Sequence, residues 1–364
     1  MGINQNKIAV LCNYELLPER VGGMDYFFWE FDKKCKENGI EIDWFFPNHS
    51  CHGNYSALSI YSNNKENAEN HFLNFCKENK PAYTHIVTHF VELCTPFFSK
   101  IKKLTSAKII AVDHNPRPLN GYPFKKRLTK KLKGILFSGY IDAFVGVSDY
   151  TVHEILKDFG SHLRSKTRTI YNGVILDSIH VREKREIVKP SFLVASHLRK
   201  SKGIQDLIEA VSFLPREIKD EIKIDIYGDG PYKEQLVEKM EKYNVNGCFT
   251  FMGSRSNLNE IFAKYDYMLQ PTHMECFSLS ILESLAANVP VITTNVGGNT
   301  EAITSGENGF IFKAKDIKAL AATLVEIYLG HKKISINTRE LIVNFFSLPK
   351  MVENHFELLK NKLN

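Results

Sequence analysis

In the first half of the chain, short runs of consecutive apolar residues alternate with longer stretches in which apolar residues recur every three or four positions. The runs Lys7–Cys12, Ile42–Phe46, His85–Thr88, Lys108–Asp113, Ala143–Val147 and Arg168–Tyr171 are rich in β-branched and aromatic residues and predict strands. Met24–Asn38 and Tyr150–Phe159 carry the helical period. Strands apolar on both faces, with helices between them, predict parallel sheets covered on both sides. The pattern then breaks. Asp177–Pro190 is rich in charge, has no period and ends in proline, so it reads as an interdomain linker. Beyond it the alternation restarts. Strands are predicted at Ser191–Val194, Lys223–Tyr227, Phe249–Met252, Tyr267–Gln270, Pro290–Thr293 and Gly309–Phe312, with helices at Ile204–Phe213, Tyr232–Tyr243 and Leu279–Ala287. The expected architecture is α/β: two doubly wound domains, residues 1–180 and 190–340, facing each other across a cleft. Ligands of such sheets sit at the C-terminal ends of the strands, so each domain is expected to offer one substrate site. Leu348–Leu363 is helical with no strand after it, and a final helix over residues 345–364 is expected to return to the first domain.

Composition narrows this picture only a little. A chain of 364 residues is too long for one ordinary core, in keeping with two domains. No run of about 18 apolar residues occurs, so no transmembrane helix is expected, and any membrane role would be peripheral. The apolar run Ile8–Cys12 is too short for the core of a signal peptide and reads as a first strand. The seven cysteines are scattered and form no CxxC pair, which argues against a disulfide framework or a zinc site and for reduced thiols in the cytoplasm. The net charge of +6 suits an anionic ligand or surface without demanding one.

Four short constellations could carry chemistry. Ile226-Tyr227-Gly228-Asp229-Gly230-Pro231 ends a strand ahead of a helix, where glycines let backbone approach an anion. It lacks the third glycine of a dinucleotide fingerprint, which disfavours a nicotinamide dehydrogenase, and a plain tight turn would look the same. His197-Leu198-Arg199-Lys200-Ser201-Lys202-Gly203 gathers cations in a loop ahead of a helix, a setting for a diphosphate or simply a solvated charge cluster. Glu275-Cys276-Phe277-Ser278-Leu279 opens a helix that carries Glu283; Ser278 is placed to cap it, and carboxylates suit sugar and ribose hydroxyls. The alternative is a surface helix with an exposed glutamate. Gly22-Gly23, between the first strand and the first helix, could turn amides toward an anion or form a plain turn.

Taken in order, these segments resemble the GT4 family of retaining glycosyltransferases, which have the GT-B fold of two Rossmann-like domains. The resemblance spans most of the chain and is strongest from about Ser191 to Phe312. It rests on Arg20-Val21-Gly22-Gly23, Val145-Gly146-Val147-Ser148, Tyr171-Asn172-Gly173-Val174, Lys202-Gly203, Tyr227-Gly228-Asp229-Gly230-Pro231 and the E-x7-E spacing of Glu275 and Glu283. Pro290-Val291-Ile292-Thr293, Gly297-Gly298-Asn299-Thr300-Glu301 and Asn308-Gly309-Phe310 complete it. It implies transfer of a sugar from a nucleotide-diphosphate-sugar of UDP or GDP type to a glycan or lipid-linked acceptor, in cell-surface polysaccharide assembly. Lys202 would bind the diphosphate and Glu283 the ribose. Glu275 and the amides of Cys276, Phe277, Ser278 and Leu279 would hold the sugar, and Gly23 would reach the diphosphate from the first domain. His114, in Val112-Asp113-His114-Asn115, falls where the family keeps a histidine beside the anomeric carbon. Backbone near Gly253–Arg255 would read the base. No metal is implied, because protein cations balance the phosphates. Retention in the family is described as front-side attack, with no carboxylate nucleophile.

Two positions depart from the pattern. Ser196-His197-Leu198 stands where the family reads G-R-L, so His197, or Arg199 two residues on, must take the place of a phosphate-binding arginine. Cys276 stands where a glycine is usual. The missing arginine motivates an alternative, a non-catalytic subunit that binds sugar nucleotides. On the acceptor side, Phe124–Phe137 holds Lys125, Lys126, Arg127 and three further lysines with no acid. Leu128, Leu132, Ile135 and Leu136 recur in it at helical spacing. Such a helix either lies on anionic lipid, at the inner face of the cytoplasmic membrane, or packs its apolar side on the core with a solvated basic face. No base-stacking or groove-reading motif accompanies the charge, so nucleic acid is not expected as a partner.

Overall fold

A computed structural model describes residues 6–183 and 188–360. Two compact units result. The first gathers the described residues of 1–115, 121–172 and the C-terminal helix; the second gathers 116–120 and the described residues of 173–347.

The first unit is a parallel seven-stranded sheet of order β3-β2-β1-β4-β5-β6-β7. Its strands are β1 (Asn6–Cys12), β2 (Ile40–Phe45), β3 (Ser59–Tyr61), β4 (His85–His89), β5 (Lys108–Asp113), β6 (Ala143–Gly146) and β7 (Thr167–Thr169). Helices α1 (Gly23–Glu37), α2 (Ala68–Asn79), α3 (Pro96–Leu104), α4 (Phe124–Phe137) and α5 (Asp149–Phe159) connect them. Ile8 to Cys12 are fully buried, as a strand covered on both faces must be. The edge strand β3 has no counterpart in the apolar pattern, because its three residues are short of a run and partly solvated.

The second unit is a parallel six-stranded sheet of order β10-β9-β8-β11-β12-β13. It comprises β8 (Phe192–Ala195), β9 (Ile224–Tyr227), β10 (Phe249–Gly253), β11 (Tyr267–Gln270), β12 (Val291–Thr294) and β13 (Gly309–Phe312). Its helices are α6 (Ile204–Ser212), α7 (Arg216–Lys219), α8 (Lys233–Lys242), α9 (Leu258–Ile261), α10 (Leu279–Ala286), α11 (Asn299–Ala302), α12 (Ile317–Tyr328) and α13 (Arg339–Phe345). Ile224, Ile226, Leu207 and Ile208 anchor its core between sheet and helices.

Of the stretch that reads as a linker, residues 177–183 lie on the second unit. There the Arg182 guanidinium donates to Asp266 at 3.2 Å and the Arg182 amide donates to the Ala287 carbonyl at 2.8 Å. Residues 184–187 of that stretch lie outside the described residues. Helix α14 (Leu348–Lys360) belongs to the first unit and packs on α1, with Lys34 and Glu353 paired at 2.6 Å. Residues 361–363 of the helical pattern lie outside the described residues. Among those described, no helix is long and apolar enough to cross a membrane.

Candidate functional site

In each sheet the strand order reverses beside the first strand, between β1 and β4 and between β8 and β11. Crevices outside the strand ends at such points are where open α/β sheets bind ligands. The chemistry-bearing residues collect at both.

In the second unit, Lys202 lies in the turn after β8 and Glu275 in the loop after β11. The Lys202 ammonium meets the Glu275 carboxylate at 2.8 Å, with both side chains mostly buried. Close backbone contacts hold the two loops together. His273 donates its amide to the Ser201 carbonyl at 2.7 Å, and the Thr272 hydroxyl donates to the same oxygen at 3.2 Å. Gly203 follows with φ +72°, and a Cβ there would lie 1.8 Å from the Pro271 carbonyl oxygen, so no other residue fits. Gly297 does the same on the other flank. Its φ is +62°, its Cβ would fall 2.1 Å from the Glu275 carbonyl oxygen, and the next amide, of Gly298, donates to Cys276 at 2.8 Å.

Ser278 caps α10, accepting from the Ile281 amide at 3.4 Å. Its hydroxyl also accepts from the Gln270 amide group at 2.8 Å, and the same group reaches Glu275 at 3.5 Å. Glu275 is thereby fixed from Lys202 on one side and Gln270 on the other, and it accepts its neighbour Cys276's amide at 3.2 Å. Glu283, one turn further along α10, differs. Partly buried, its carboxylate has no hydrogen bond or ion pair among the described residues, and burial pushes its pKa up to about 7.

The other residues expected to bind the donor are arranged less tightly. His197, Arg199 and Lys200 are exposed in the loop after β8. Gly228 and Gly230 pack under that loop: added Cβ atoms would lie 2.0 Å from the Ser196 oxygen and 2.5 Å from the Leu198 oxygen. That packing accounts for both glycines without any anion. Arg255 follows the edge strand β10, two strands from β8, where its guanidinium donates to the Met252 carbonyl.

In the first unit the reversal point is lined by aromatic rings and neutral imidazoles. Gly22 is the cap of α1 and Gly23 its first residue. The Gly22 amide donates to the Asp25 carboxylate at 2.9 Å, which also accepts from Tyr14 and Tyr55. At the ends of β4 and β5, His89 Nδ1 and His114 Nε2 lie 3.0 Å apart, and Phe90 stacks on the His114 ring at 4.2 Å. His355 of α14 stands 6.0 Å from His89, ring centre to ring centre. Burial holds His89 well below the usual imidazole range and pushes His114 to about 3 and His355 to about 4, so all three are neutral near pH 7. Asn115 donates its amide to Asp113 at 2.9 Å. Lys125, Lys126 and Arg127 open α4, away from this cluster in the sequence and exposed.

Sequence reasoning missed several residues. The His273 ring lies 2.6 Å from the Asp206 carboxylate of α6, beside Lys202. Gln270, His89 and His355 were also missed. Each sits in a stretch that reads as core, and each finds its partner only through tertiary folding.

The fold so described is that of the GT-B glycosyltransferases. The chain superposes on Anabaena HepE, solved in complex with UDP-glucose, with a TM-score of 0.75 over 97% of this chain and 99% of that one, at 15% identity. On the sucrose-phosphate synthase of Thermosynechococcus elongatus the TM-score is 0.74, over 98% of each chain at 17% identity. At these identities the likeness is one of fold. Residues 178–340 match the family model described as "Glycosyl transferases group 1". Among relatives, the chain is 28% identical to the N-acetyl-alpha-D-glucosaminyl L-malate synthase of Bacillus anthracis over 163 residues, 44% of this chain and 42% of that one. It is 29% identical to the glycogen synthase of Mycobacterium tuberculosis over 186 residues, 50% of this chain and 44% of that one. The chain thus spans less than half the length of these curated relatives.

Proposed function

We propose that this protein is a retaining, metal-independent glycosyltransferase that takes a sugar from a UDP-type donor and passes it to a glycan or lipid-linked acceptor in surface polysaccharide assembly. The observation that carries the reading is Glu283. A partly buried carboxylate with no partner of its own, set beside an ion pair at a strand-order reversal, suits a pair of ribose hydroxyls. The group 1 family match over the same unit and the UDP-glucose complex of a protein of the same fold support it.

In this reading the donor diphosphate draws the Lys202 ammonium from Glu275. The ammonium then neutralises charge that grows on the departing phosphate, and the freed Glu275 turns to the sugar hydroxyls. Arg199 supplies the second cation, in the place of the family's arginine. His114, neutral and backed by His89, offers a hydrogen bond beside the anomeric carbon. The UDP leaving group takes the acceptor proton on the face from which it departs.

Calorimetric titration with a panel of nucleotide-sugars, followed by a transfer assay with the tightest binder, tests this. Binding and turnover are expected for a UDP-sugar. Binding without hydrolysis or transfer would favour the non-catalytic alternative, which the exposed His197 in place of a family arginine motivates. No binding of any donor would sink both readings.

A further inference from the structure

Helix α4 is amphipathic in the opposite sense to an ordinary surface helix. Its buried residues are Lys130 and Gly134. Gly134 is there because a Cβ would fall 2.0 Å from the Phe159 carbonyl oxygen at the end of α5, so glycine brings the two helices together. Lys130 pairs with the buried Asp158 at 3.2 Å and lies over the Phe159 ring. The large apolar residues point the other way. Phe124 is 77% exposed, Leu128 52%, Leu132 51%, Ile135 72% and Leu136 62%. At about 100° per residue these five span an arc of about 120°, centred opposite the Lys130–Gly134 side. Packing on the core therefore does not account for the apolar stripe.

The charges divide in the same way. Lys133 is paired with Glu92 at 2.7 Å, and Lys126 lies over the Tyr122 ring at 4.4 Å. Lys125, Arg127 and Lys131 are exposed and have no side-chain partner among the described residues; on the same wheel Lys131 lies just outside one edge of the apolar arc, Arg127 about 60° beyond that edge, and Lys125 within the arc at its N-terminal end. A second copy of this helix would set cations against cations. An anionic bilayer surface offers acyl chains to the stripe and negative headgroups to its flanks. Fourteen residues make a helix about 21 Å long, too short to span the hydrocarbon core but suited to lie along its boundary.

We propose that α4 is a membrane-docking helix that lies in the interface of an anionic lipid bilayer with Phe124, Leu128, Leu132, Ile135 and Leu136 inserted. The surface deepens the acceptor side of the proposed function, but it is tested without any donor. The full chain is sedimented with vesicles of phosphatidylcholine, with and without phosphatidylglycerol. Co-sedimentation is expected only with the anionic lipid and should weaken about fivefold for each of Lys125→Ala and Lys131→Ala. Leu132→Ser with Ile135→Ser should reduce it at least tenfold while circular dichroism stays unchanged, since both side chains are solvent-facing. In a Leu132→Trp variant, quenching by bromine-labelled acyl chains should report insertion rather than adsorption. The proposal is overturned if the wild type stays in the supernatant at low salt or if the serine variant sediments unchanged. It is equally overturned if gel filtration shows a dimer that the serine variant dissolves, which would make the stripe a contact between copies. Failure here leaves the donor-site reading standing, because nucleotide titration does not depend on lipid.

Discussion

The two sheets reverse their strand order in the same way, and the side chains gathered at the two reversals face opposite electrostatic problems. Between β8 and β11 the groups are charged: Lys202 and Glu275 are paired, and Glu283 holds a carboxyl that burial disfavours in its ionised form. Between β1 and β4 the imidazoles are neutral: His89, His114 and His355 are kept unprotonated, while the Asp25 carboxylate is already occupied by two tyrosines and the Gly22 amide. One backbone plan thus carries charged side chains at one reversal and neutral imidazoles at the other. The proton linkage differs in sign as well. Glu283 has a raised folded pKa, so its stabilising protonated form is lost as pH rises through about 7. The histidines have lowered folded pKa values, so the stability they permit is present above about 6.5 and is lost as pH falls toward 4.

The sharpest way to break this comparison is Lys202→Ala. UDP-sugar affinity, measured by calorimetry, should fall about 100-fold, because a charge-assisted contact goes and Glu275 is left partly buried and unpaired. Unchanged affinity would mean that the diphosphate sits elsewhere. Next is His355→Gln. In the wild type, chemical denaturation between pH 6.5 and 4 should show a loss that includes about 3 kcal/mol from this histidine; the variant should lack that part. An identical pH slope in both proteins would show that His355 is not held neutral. Smaller, and opposite in sign, is Glu283→Gln. At pH 8 it should raise the unfolding free energy by about 2 kcal/mol, with almost no gain below about pH 4, while UDP-sugar binding at pH 8 drops about tenfold. A variant no more stable at pH 8 would mean that Glu283 already has a partner. The smallest change is Gly22→Ala. A Cβ there meets no atom within 4 Å, so stability should move by less than about 1 kcal/mol. A loss of donor affinity with folding intact would then bring this turn into the charged site's work.

Much of the fold was legible because buried parallel strands need unbroken apolar runs. Lys108–Asp113, Tyr267–Gln270 and Gly309–Phe312 have the bounds that the pattern predicts. β3 was not legible, since a half-exposed edge strand has no such need. Periodicity gave α4 its stripe but could not say which way it points; packing of Gly134 against Phe159 decides that, and glycine leaves no mark on an apolar count. In the second unit, the spacing of Glu275 and Glu283 points to the loop after β11 and to α10. It could not show that one of them is paired and the other is not. Partners such as His273 and Asp206 are 67 positions apart and meet only after β8 and β11 become neighbours.

Helix α14 leaves one further trace, in the order of synthesis. Its Phe356 and His355 are buried in the first unit, where His355 packs against Phe27 of α1, more than three hundred residues earlier. Translation delivers the whole second unit before that lid arrives. Ribosome-bound chains should therefore hold a nearly finished first sheet with the α1 surface still bare, a natural client for chaperones until the last turn emerges.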